Sequence, residues 1–305
     1  MEIQQQSEYR AVQKQPLKKR FINGALFKTS FALLFMVPAL LFWLTVIIVV
    51  LGVVVLSVED EDECNVARIP VQGIITTTDN GLSEIFGFGA IASADSIVDR
   101  IQQAEQNNDI SAIVVDIDSP GGTPVGGDEI MKALLATSKP TVTIMRDRGT
   151  SAAYWVAAGT DYIVASPVSD VGSIGVTMSY LEFASSSDYQ GSRWIDISSG
   201  EYKDAGHPER VLSEKEREHF QGQVDVVHEY MVDQISSARD GLSRDRLAEL
   251  ADGRAYLGAE ALKLGLVDEL GGFNEVEQYL DNVLLLGEPV VMCPVSFGGL
   301  EDLLY

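Results

Sequence analysis

Cysteine, histidine and basic residues are all scarce in this 305-residue chain. Two cysteines are too few for a scaffold built on disulfides or for a cysteine zinc site, and three histidines leave little room for a histidine-rich metal centre. Acidic residues outnumber basic ones by 45 to 22, the opposite of what a nucleic-acid-binding protein needs. Hydrophobic residues make up 46% of the chain, which excludes a mainly disordered protein. We therefore expect no metal, no cofactor and no nucleic-acid partner.

One long stretch near the N-terminus lacks charge altogether. Residues 31–58 are 28 consecutive uncharged residues, mostly large and apolar. About 20 such residues cross the hydrocarbon core of a bilayer, so the run predicts one transmembrane helix. A buried core helix is the alternative interpretation, and the length of the run argues against it.

The charges on either side of this run indicate its orientation. Glu59 to Glu63 follow it as five consecutive acidic residues, and a basic segment precedes it, with Arg10, Lys14, Lys18, Lys19, Arg20 and Lys28. Basic flanks stay in the cytoplasm, so we expect a single-pass protein of the cell membrane with a cytoplasmic N-terminus and an extracytoplasmic main domain. A cleaved signal peptide would have a shorter apolar region that ends in a small-residue cleavage site.

These features divide the chain into four parts: a cytoplasmic segment (1–30), an anchor (31–58), an extracytoplasmic domain (59–290) and a C-terminal tail (291–305). The two cysteines, Cys64 and Cys293, lie near the ends of the outer part. In an oxidising compartment they could form a disulfide, and two unpaired buried thiols are an equally good interpretation.

Short β-rich runs alternate with helical runs in the outer domain, which predicts an α/β fold with parallel strands. Ser213, with Glu216 three residues later, predicts a capping box at the start of a long charged helix. The predicted strands are 66–75, 110–117, 141–145 and 162–165. The predicted helices are 93–106, 128–137, 151–158, 213–240, 257–264 and 274–284.

The first motif with possible chemistry is the turn Asp118-Ser119-Pro120-Gly121-Gly122, directly after an apolar strand. Paired glycines there let backbone N–H groups turn toward a ligand, as in the oxyanion hole of an acyl-transfer enzyme. A plain strand-to-helix turn explains the same residues.

Two further motifs contain a candidate nucleophile and a candidate base. Ser151 opens an apolar helix directly after a strand, where a serine can be presented to a substrate, although an ordinary helix cap is the simpler explanation. Lys203, in Gly200-Glu201-Tyr202-Lys203-Asp204, can act as a general base if burial lowers its pKa. An exposed surface lysine is the alternative.

The three motifs in this order resemble signal peptide peptidase A, a family of bacterial membrane-anchored Ser/Lys endopeptidases. The resemblance covers about residues 66–284, with supporting stretches at 161–176 and 253–272. It implies a Clp-protease/crotonase-like fold, a superhelix of repeated ββα units, here preceded by one transmembrane helix. The length resembles the family's short, single-module form.

The resemblance also implies the roles of individual residues. Ser151 would be the nucleophile and Lys203 the general base, while Ser173 would hydrogen-bond the lysine. Gly121, Gly122 or both would form the oxyanion hole with the Ala152 N–H. The chain departs from the family where Ser-Ala-Ala replaces the usual Ser-Gly-Gly, which puts the substrate preference in doubt more than the mechanism.

These expectations describe a serine endopeptidase that degrades remnant signal peptides as a ring-shaped homo-oligomer, for which an octamer is one candidate size. In some such rings a neighbouring subunit completes the active site. A catalytically silent scaffold of the same fold, which binds membrane or envelope proteins, is the main alternative.

Two other enzyme classes fit less well. A Ser-His-Asp hydrolase would have to use His207, because His219 and His228 lie in the long charged helix and are expected to face solvent. A crotonase-like acyl-CoA enzyme would share the fold and the oxyanion geometry, but CoA is scarce outside the membrane.

Overall fold

The computed structural model describes residues 38, 40–49, 64–79, 90–285 and 289–295. The chain divides into two units, Met1–Asp62 and Glu63–Tyr305, which are described separately.

The first unit contains the predicted cytoplasmic segment and the predicted anchor. Residues 1–30 and most of 31–58 lie outside the described residues, and residues 40–49 are helical. Within the part of the chain that the structure describes, no helix is both long enough and apolar enough to cross a membrane.

The second unit alternates strands and helices. Its described strands are β1 (Val66–Thr76), β2 (Ile91–Ser93), β3 (Ala112–Gly122), β4 (Thr141–Thr150), β5 (Tyr162–Ala165), β6 (Asp170–Gly172), β7 (Ala255–Leu257), β8 (Glu269–Leu270) and β9 (Met292–Pro294). Its described helices are α1 (Ala94–Gln106), α2 (Pro124–Ala136), α3 (Ala152–Ala158), α4 (Ala184–Tyr189), α5 (Glu214–Ala238), α6 (Arg244–Leu250), α7 (Gly258–Leu264) and α8 (Phe273–Leu284).

The strands form a mostly parallel sheet in the order β2-β1-β3-β4-β5-β8. The short strand β6 pairs in parallel with the end of β4, and β7 runs antiparallel to β6. Helices α1, α2 and α3 contribute to the large core on one face of this sheet. Helix α8 buries Val276 and Leu280 in a smaller core with alternate residues of β3, β4 and β5. The prediction of an α/β fold with parallel strands is confirmed.

Three predicted elements begin or end four or more residues from their predicted bounds. Strand β4 continues past Met145 to Thr150. Strand β3 continues past Ile117 through the glycine turn to Gly122. Helix α2 begins at Pro124 instead of Asp128 because Thr123 caps it, its hydroxyl accepting a hydrogen bond from the Gly126 N–H at 3.3 Å. Proline suits the first turn of a helix, where its missing N–H costs no bond.

The capping box predicted for the long helix is present at the start of α5. Ser213 caps the helix, and the Glu216 side chain accepts from the Ser213 N–H at 2.9 Å. The sequence analysis does not predict β6 and β7, because strands of three residues are too short to show a hydrophobic period. It does not predict the seven-residue helix α6 either.

The two cysteines are joined in a disulfide, with their Cα atoms 5.9 Å apart. The bond connects the start of β1 to β9, which pairs with β1 in parallel. Strand β9 lies within residues 291–305, the range expected to be a tail. The disulfide, which the sequence left open, therefore fastens the last described strand to the sheet.

Candidate active site

Ser151 stands at the corner between β4 and α3 in a strained backbone conformation, with φ of 55° and ψ of −125°. A positive φ is uncommon outside glycine and is tolerated only where the surroundings enforce it. The Ser151 N–H donates to the Gly172 carbonyl at 2.7 Å, which ties the corner to the end of β6. Ser151 occupies the cap position of α3, but its hydroxyl makes no capping hydrogen bond. The half-buried side chain is therefore not used as an ordinary helix cap.

The glycine turn of β3 lies directly against this corner. Gly121 has a φ of 98°, and a Cβ added to it would lie 2.7 Å from both the Ser151 Cβ and the Thr150 carbonyl oxygen. No larger residue fits there without a shift of the backbone. The structure thus brings together two of the three motifs that the sequence analysis singled out.

A buried serine that the sequence analysis did not single out shapes the same turn. The Ser119 hydroxyl donates to the Gly73 carbonyl at 2.6 Å and accepts from the Gly121 N–H at 3.0 Å. Ser119 is completely buried. Its place in the glycine-rich motif is the feature of the sequence that could have pointed to it, but only contacts across the sheet show what its hydroxyl binds. The Gly121 N–H, one of the expected oxyanion donors, is therefore directed toward Ser119.

The other two expected donors have different surroundings. The Thr123 N–H donates to the Ile75 carbonyl at 2.9 Å, toward β1. A Cβ added to Gly122 would lie 1.9 Å from the Ile75 carbonyl oxygen, so the turn approaches β1 closely at this residue. Ala152 is the first residue of α3, and the first N–H groups of a helix have no partner within the helix.

Ser173 lies close to the serine corner but binds another group. It follows Gly172, which accepts from the Ser151 N–H, and its φ is 48°. The Ser173 hydroxyl donates to the Gly253 carbonyl at 2.9 Å. The structure therefore places Ser173 beside Ser151, with its hydroxyl directed to the loop before β7 and not to the lysine.

Lys203 is not brought to Ser151 by any bond within the described part of this chain. It lies in a run of turns at residues 201–206, and its side chain is exposed. Its backbone N–H donates to the Gly200 carbonyl at 3.1 Å. Among the described residues, no hydrogen bond or ion pair of its Nζ joins it to Ser151 or Ser173.

Lys203 ends a long exposed segment, residues 177–203, in which only Ala184 and Ser187 are buried. Exposed large apolar side chains recur along this segment: Met178, Tyr180, Leu181, Phe183, Tyr189, Trp194, Ile195, Ile197 and Tyr202. So much exposed apolar surface in one segment is typical of a surface that binds something.

The histidines do not form a catalytic triad with Ser151. His207 stacks on Trp194 with ring centroids 3.7 Å apart, and its Nδ1 accepts from the Glu209 N–H at 3.3 Å. His219 is exposed, as expected, whereas His228 is half-buried and its Nε2 lies 2.9 Å from the Ala251 carbonyl oxygen. Within the described ranges, no three His, Cys, Asp or Glu side chains are grouped closely enough to hold a metal ion.

Sequence comparisons connect this geometry to known proteins. The profile of peptidase family S49 matches residues 133–284, the stretch that holds Ser151, Ser173 and Lys203. A Synechocystis protein provisionally named a protease is 31% identical over 208 residues, which are 67% of this chain and 74% of that protein. The chain belongs to peptidase family S49.

Other relatives carry more specific names. The chloroplastic serine protease SPPA of Arabidopsis thaliana is 30% identical over 61% of this chain and 28% of its own length. An Enterococcus faecium protein provisionally named signal peptide peptidase SppA is 28% identical over 68% of this chain and 60% of its own length. This chain thus spans less than two thirds of the length of these two S49 relatives.

Proposed function

We propose that this S49 member is a serine endopeptidase with Ser151 as nucleophile and Lys203 as general base. The observation that carries the proposal is the Ser151 corner. A strained serine, whose hydroxyl does not cap its helix, lies against a glycine turn that leaves no room for a side chain. The proposal implies a Clp-protease/crotonase-like fold.

The chemistry requires one proton to move twice. Neutral Lys203 takes the Ser151 hydroxyl proton as the serine oxygen bonds to the peptide carbonyl carbon. The resulting ammonium then protonates the leaving amine as the peptide C–N bond breaks. Water repeats the sequence on the acyl-serine ester, releasing the carboxylic acid and returning Ser151 to its starting state.

The negative oxygen of the tetrahedral intermediate needs N–H donors beside Ser151. We assign this role to Gly122 and Ala152. Gly122 follows Gly121 in the turn that packs against Ser151, and Ala152 lies at the start of α3; both positions support the assignment. Gly121 serves instead as the residue that lets the turn approach Ser151, because its N–H is bound to Ser119.

The exposed position of Lys203 favours an active site completed by a second copy of the chain. Lys203 lies at the end of the apolar, exposed segment 177–203, so a neighbour that covers this segment would also bury the lysine. Burial lowers the pKa of a lysine, as a general base requires. A ring-shaped homo-oligomer, for which an octamer is one candidate size, would both cover the segment 177–203 and bury Lys203.

The remaining expectations complete the proposal. The apolar run 31–58 would anchor the protein in the cell membrane, with the N-terminus cytoplasmic and the peptidase unit outside. The substrates would be peptides, of which remnant signal peptides are the best match to this location. The exposed Lys203 also favours a second candidate, a silent scaffold that binds envelope proteins.

Hydrolysis of a leucine-rich fluorogenic peptide, followed against pH, separates the two candidates. The full chain in detergent is compared with its Ser151→Ala, Lys203→Ala and Lys263→Ala variants. Lys263 is an exposed lysine in the last turn of α7 and serves as the matched control. A peptidase requires activity in the parent and the control, and a loss of about a thousandfold or more in the other two. Activity in none of the four folded proteins would favour the scaffold.

Mixing the two inactive variants tests completion of the site by a neighbour. If Lys203 acts on a partner's serine, rings assembled from Ser151→Ala and Lys203→Ala chains contain some complete sites and recover activity. If the mixed rings have the parental size but no activity, Ser151 and Lys203 of each active site must come from the same chain.

A further inference from the structure

The turn that carries Lys203 is fastened by Arg210. The Arg210 Nη2 donates to the backbone carbonyl of Asp204, the residue after the lysine, at 2.7 Å. The Nη1 donates to Glu216 Oε2 at 2.8 Å, and the Nε forms an ion pair with Asp196 Oδ2 at 2.8 Å. One guanidinium therefore binds the lysine turn, the exposed segment before it and the helix after it.

Arg210 is itself held by Glu216 in the first turn of α5. Its side chain is 5% exposed and also accepts hydrogen bonds from the Ser213 N–H and hydroxyl, at 2.9 and 2.8 Å. Helix α5 has 25 residues, so the carboxylate is held on a long, regular element. A planar guanidinium that binds such a carboxylate with two nitrogens is fixed in direction as well as position.

The other attachments of the turn in the described chain are local bonds, one exposed ion pair and one ring contact, between Tyr202 and His219 of α5 with ring centroids 4.9 Å apart. Its own backbone bonds are local, such as the Ala205 N–H to the Tyr202 carbonyl at 3.2 Å. Lys215 pairs with Glu201 at 2.9 Å, but both side chains are more than half exposed. Exposed pairs of this kind contribute little to holding a structure in place.

We propose that Arg210 is a positioning residue for Lys203: through the Asp204 carbonyl it sets the position of the lysine turn relative to α5. This inference rests on the proposed function, since it concerns the same general base. Arg210 itself would touch neither substrate nor nucleophile.

The charges of the Arg210–Glu216 pair do not change in the pH range of catalysis. The hydrogen bond from Arg210 is the main cause that lowers the pKa of Glu216 to about 2. The hydrogen bond to Glu216 likewise raises the pKa of Arg210 above its ordinary value. The pair therefore contributes no titration of its own near neutrality to the pH profile of the parental protein.

The test compares Arg210→Gln with Arg244→Gln in the full chain. Arg244 is a matched control, because it pairs with two carboxylates of the same helix α5, Glu229 and Asp233, at exposed sites. We expect Arg210→Gln to lower kcat by roughly ten- to a hundredfold with little change in KM, because a misplaced base slows chemistry more than binding. We also expect its pH profile to shift while that of Arg244→Gln stays at the parental position.

Chemical rescue adds a readout that a merely structural role would not give. Methylguanidinium added to Arg210→Gly should restore part of kcat, because it can occupy the vacated site between Glu216 and the Asp204 carbonyl. If the Arg210 variants fail to fold, the inference is tested with Asp196→Asn instead. This variant removes one ion-pair partner of Arg210 at a partly exposed position. A severalfold loss of kcat at an unchanged melting temperature is then expected.

Different failures point to different errors. This inference alone would be overturned if folded Arg210→Gln keeps the parental kcat and pH profile while Ser151→Ala and Lys203→Ala are inactive. If the Arg210 variants do not fold, the same result in Asp196→Asn would overturn it. Full activity in those two variants would instead overturn the proposed function. A loss of kcat with no rescue and an unshifted profile would reduce Arg210 to a structural residue and would also contradict the inference.

Discussion

The serine corner and the lysine turn are built in different ways. Ser151 is held by backbone: β4 ends beside it, Gly172 accepts from its N–H, and the Gly121 turn packs against its Cβ. Lys203 lies on an exposed turn that is connected to the fold mainly by the side-chain bonds of Arg210. The proposed nucleophile is positioned by the sheet, whereas the proposed base depends on charged side chains and, in our proposal, on a neighbouring chain.

This difference predicts different sensitivities. Backbone hydrogen bonds within a sheet change little with pH or salt, but ion pairs are weakened by protonation of the acid and by screening. Changes at the serine corner should therefore act through sterics, and changes at the lysine turn through charge.

Outside the proposed Ser/Lys pair, the largest expected effect is that of Gly121→Ala. The added methyl would have to displace the Ser151 Cβ and would enforce a φ that alanine rarely adopts. We expect a loss of kcat/KM of about a hundredfold or more in peptide hydrolysis. Gly241→Ala is the matched control, because Gly241 has a similar φ of 86° but no atom within 4 Å of an added Cβ. Equal losses in both variants would show that backbone strain alone, and not contact with Ser151, is responsible.

Acid should weaken the attachment of the lysine turn, through Glu216, before it affects the serine corner. The pKa of Glu216 is about 2 in the folded protein and about 4.5 ordinarily, so its stabilising effect is complete above pH 4.5 and is lost as the pH falls toward 2. The loss should reach about 3 kcal/mol in the free energy of unfolding, measured by urea titration at several pH values. Glu216→Gln should be less stable at neutral pH and should lose less on acidification. An identical acid dependence in the variant would contradict this assignment.

A smaller loss is expected for Ser119→Ala. The change leaves the Gly121 N–H and the Gly73 carbonyl without their shared partner in a fully buried place. Such a loss costs about 1–3 kcal/mol of unfolding free energy and should lower kcat/KM by roughly tenfold through the turn. Ser237→Ala, an exposed serine on α5, should change neither quantity. Parental activity in a destabilised Ser119→Ala would separate the stability of the turn from its catalytic geometry.

The smallest effect should come from Lys215→Gln. It removes the exposed ion pair with Glu201, another side-chain attachment of the lysine turn to α5. We expect a change of less than about 0.5 kcal/mol in stability and less than about twofold in kcat. A large loss would mean that the turn depends on α5 through Lys215 as well as through Arg210.

The same contrast separates what the sequence predicts from what it does not. The apolar strand before the glycine turn, the helix opened by Ser151 and the capping box of Ser213 and Glu216 all follow from local patterns, and the structure contains each of them. The φ of Ser151 and the bonds of Ser119 depend on strands that are distant in sequence. The Arg210–Asp204 bond joins an arginine to a backbone carbonyl, and no residue pattern marks such a bond.

The disulfide has a consequence for the fate of the chain if it is cut. Because Cys64 and Cys293 are covalently joined, nearly the whole described part of the second unit lies inside one closed ring. A single cut within the exposed segment 177–203 would open this ring and leave the two pieces of the chain joined by the disulfide. In the proposed ring of peptidase subunits, a subunit cut in that segment would therefore release no fragment until a reductant separates the two pieces.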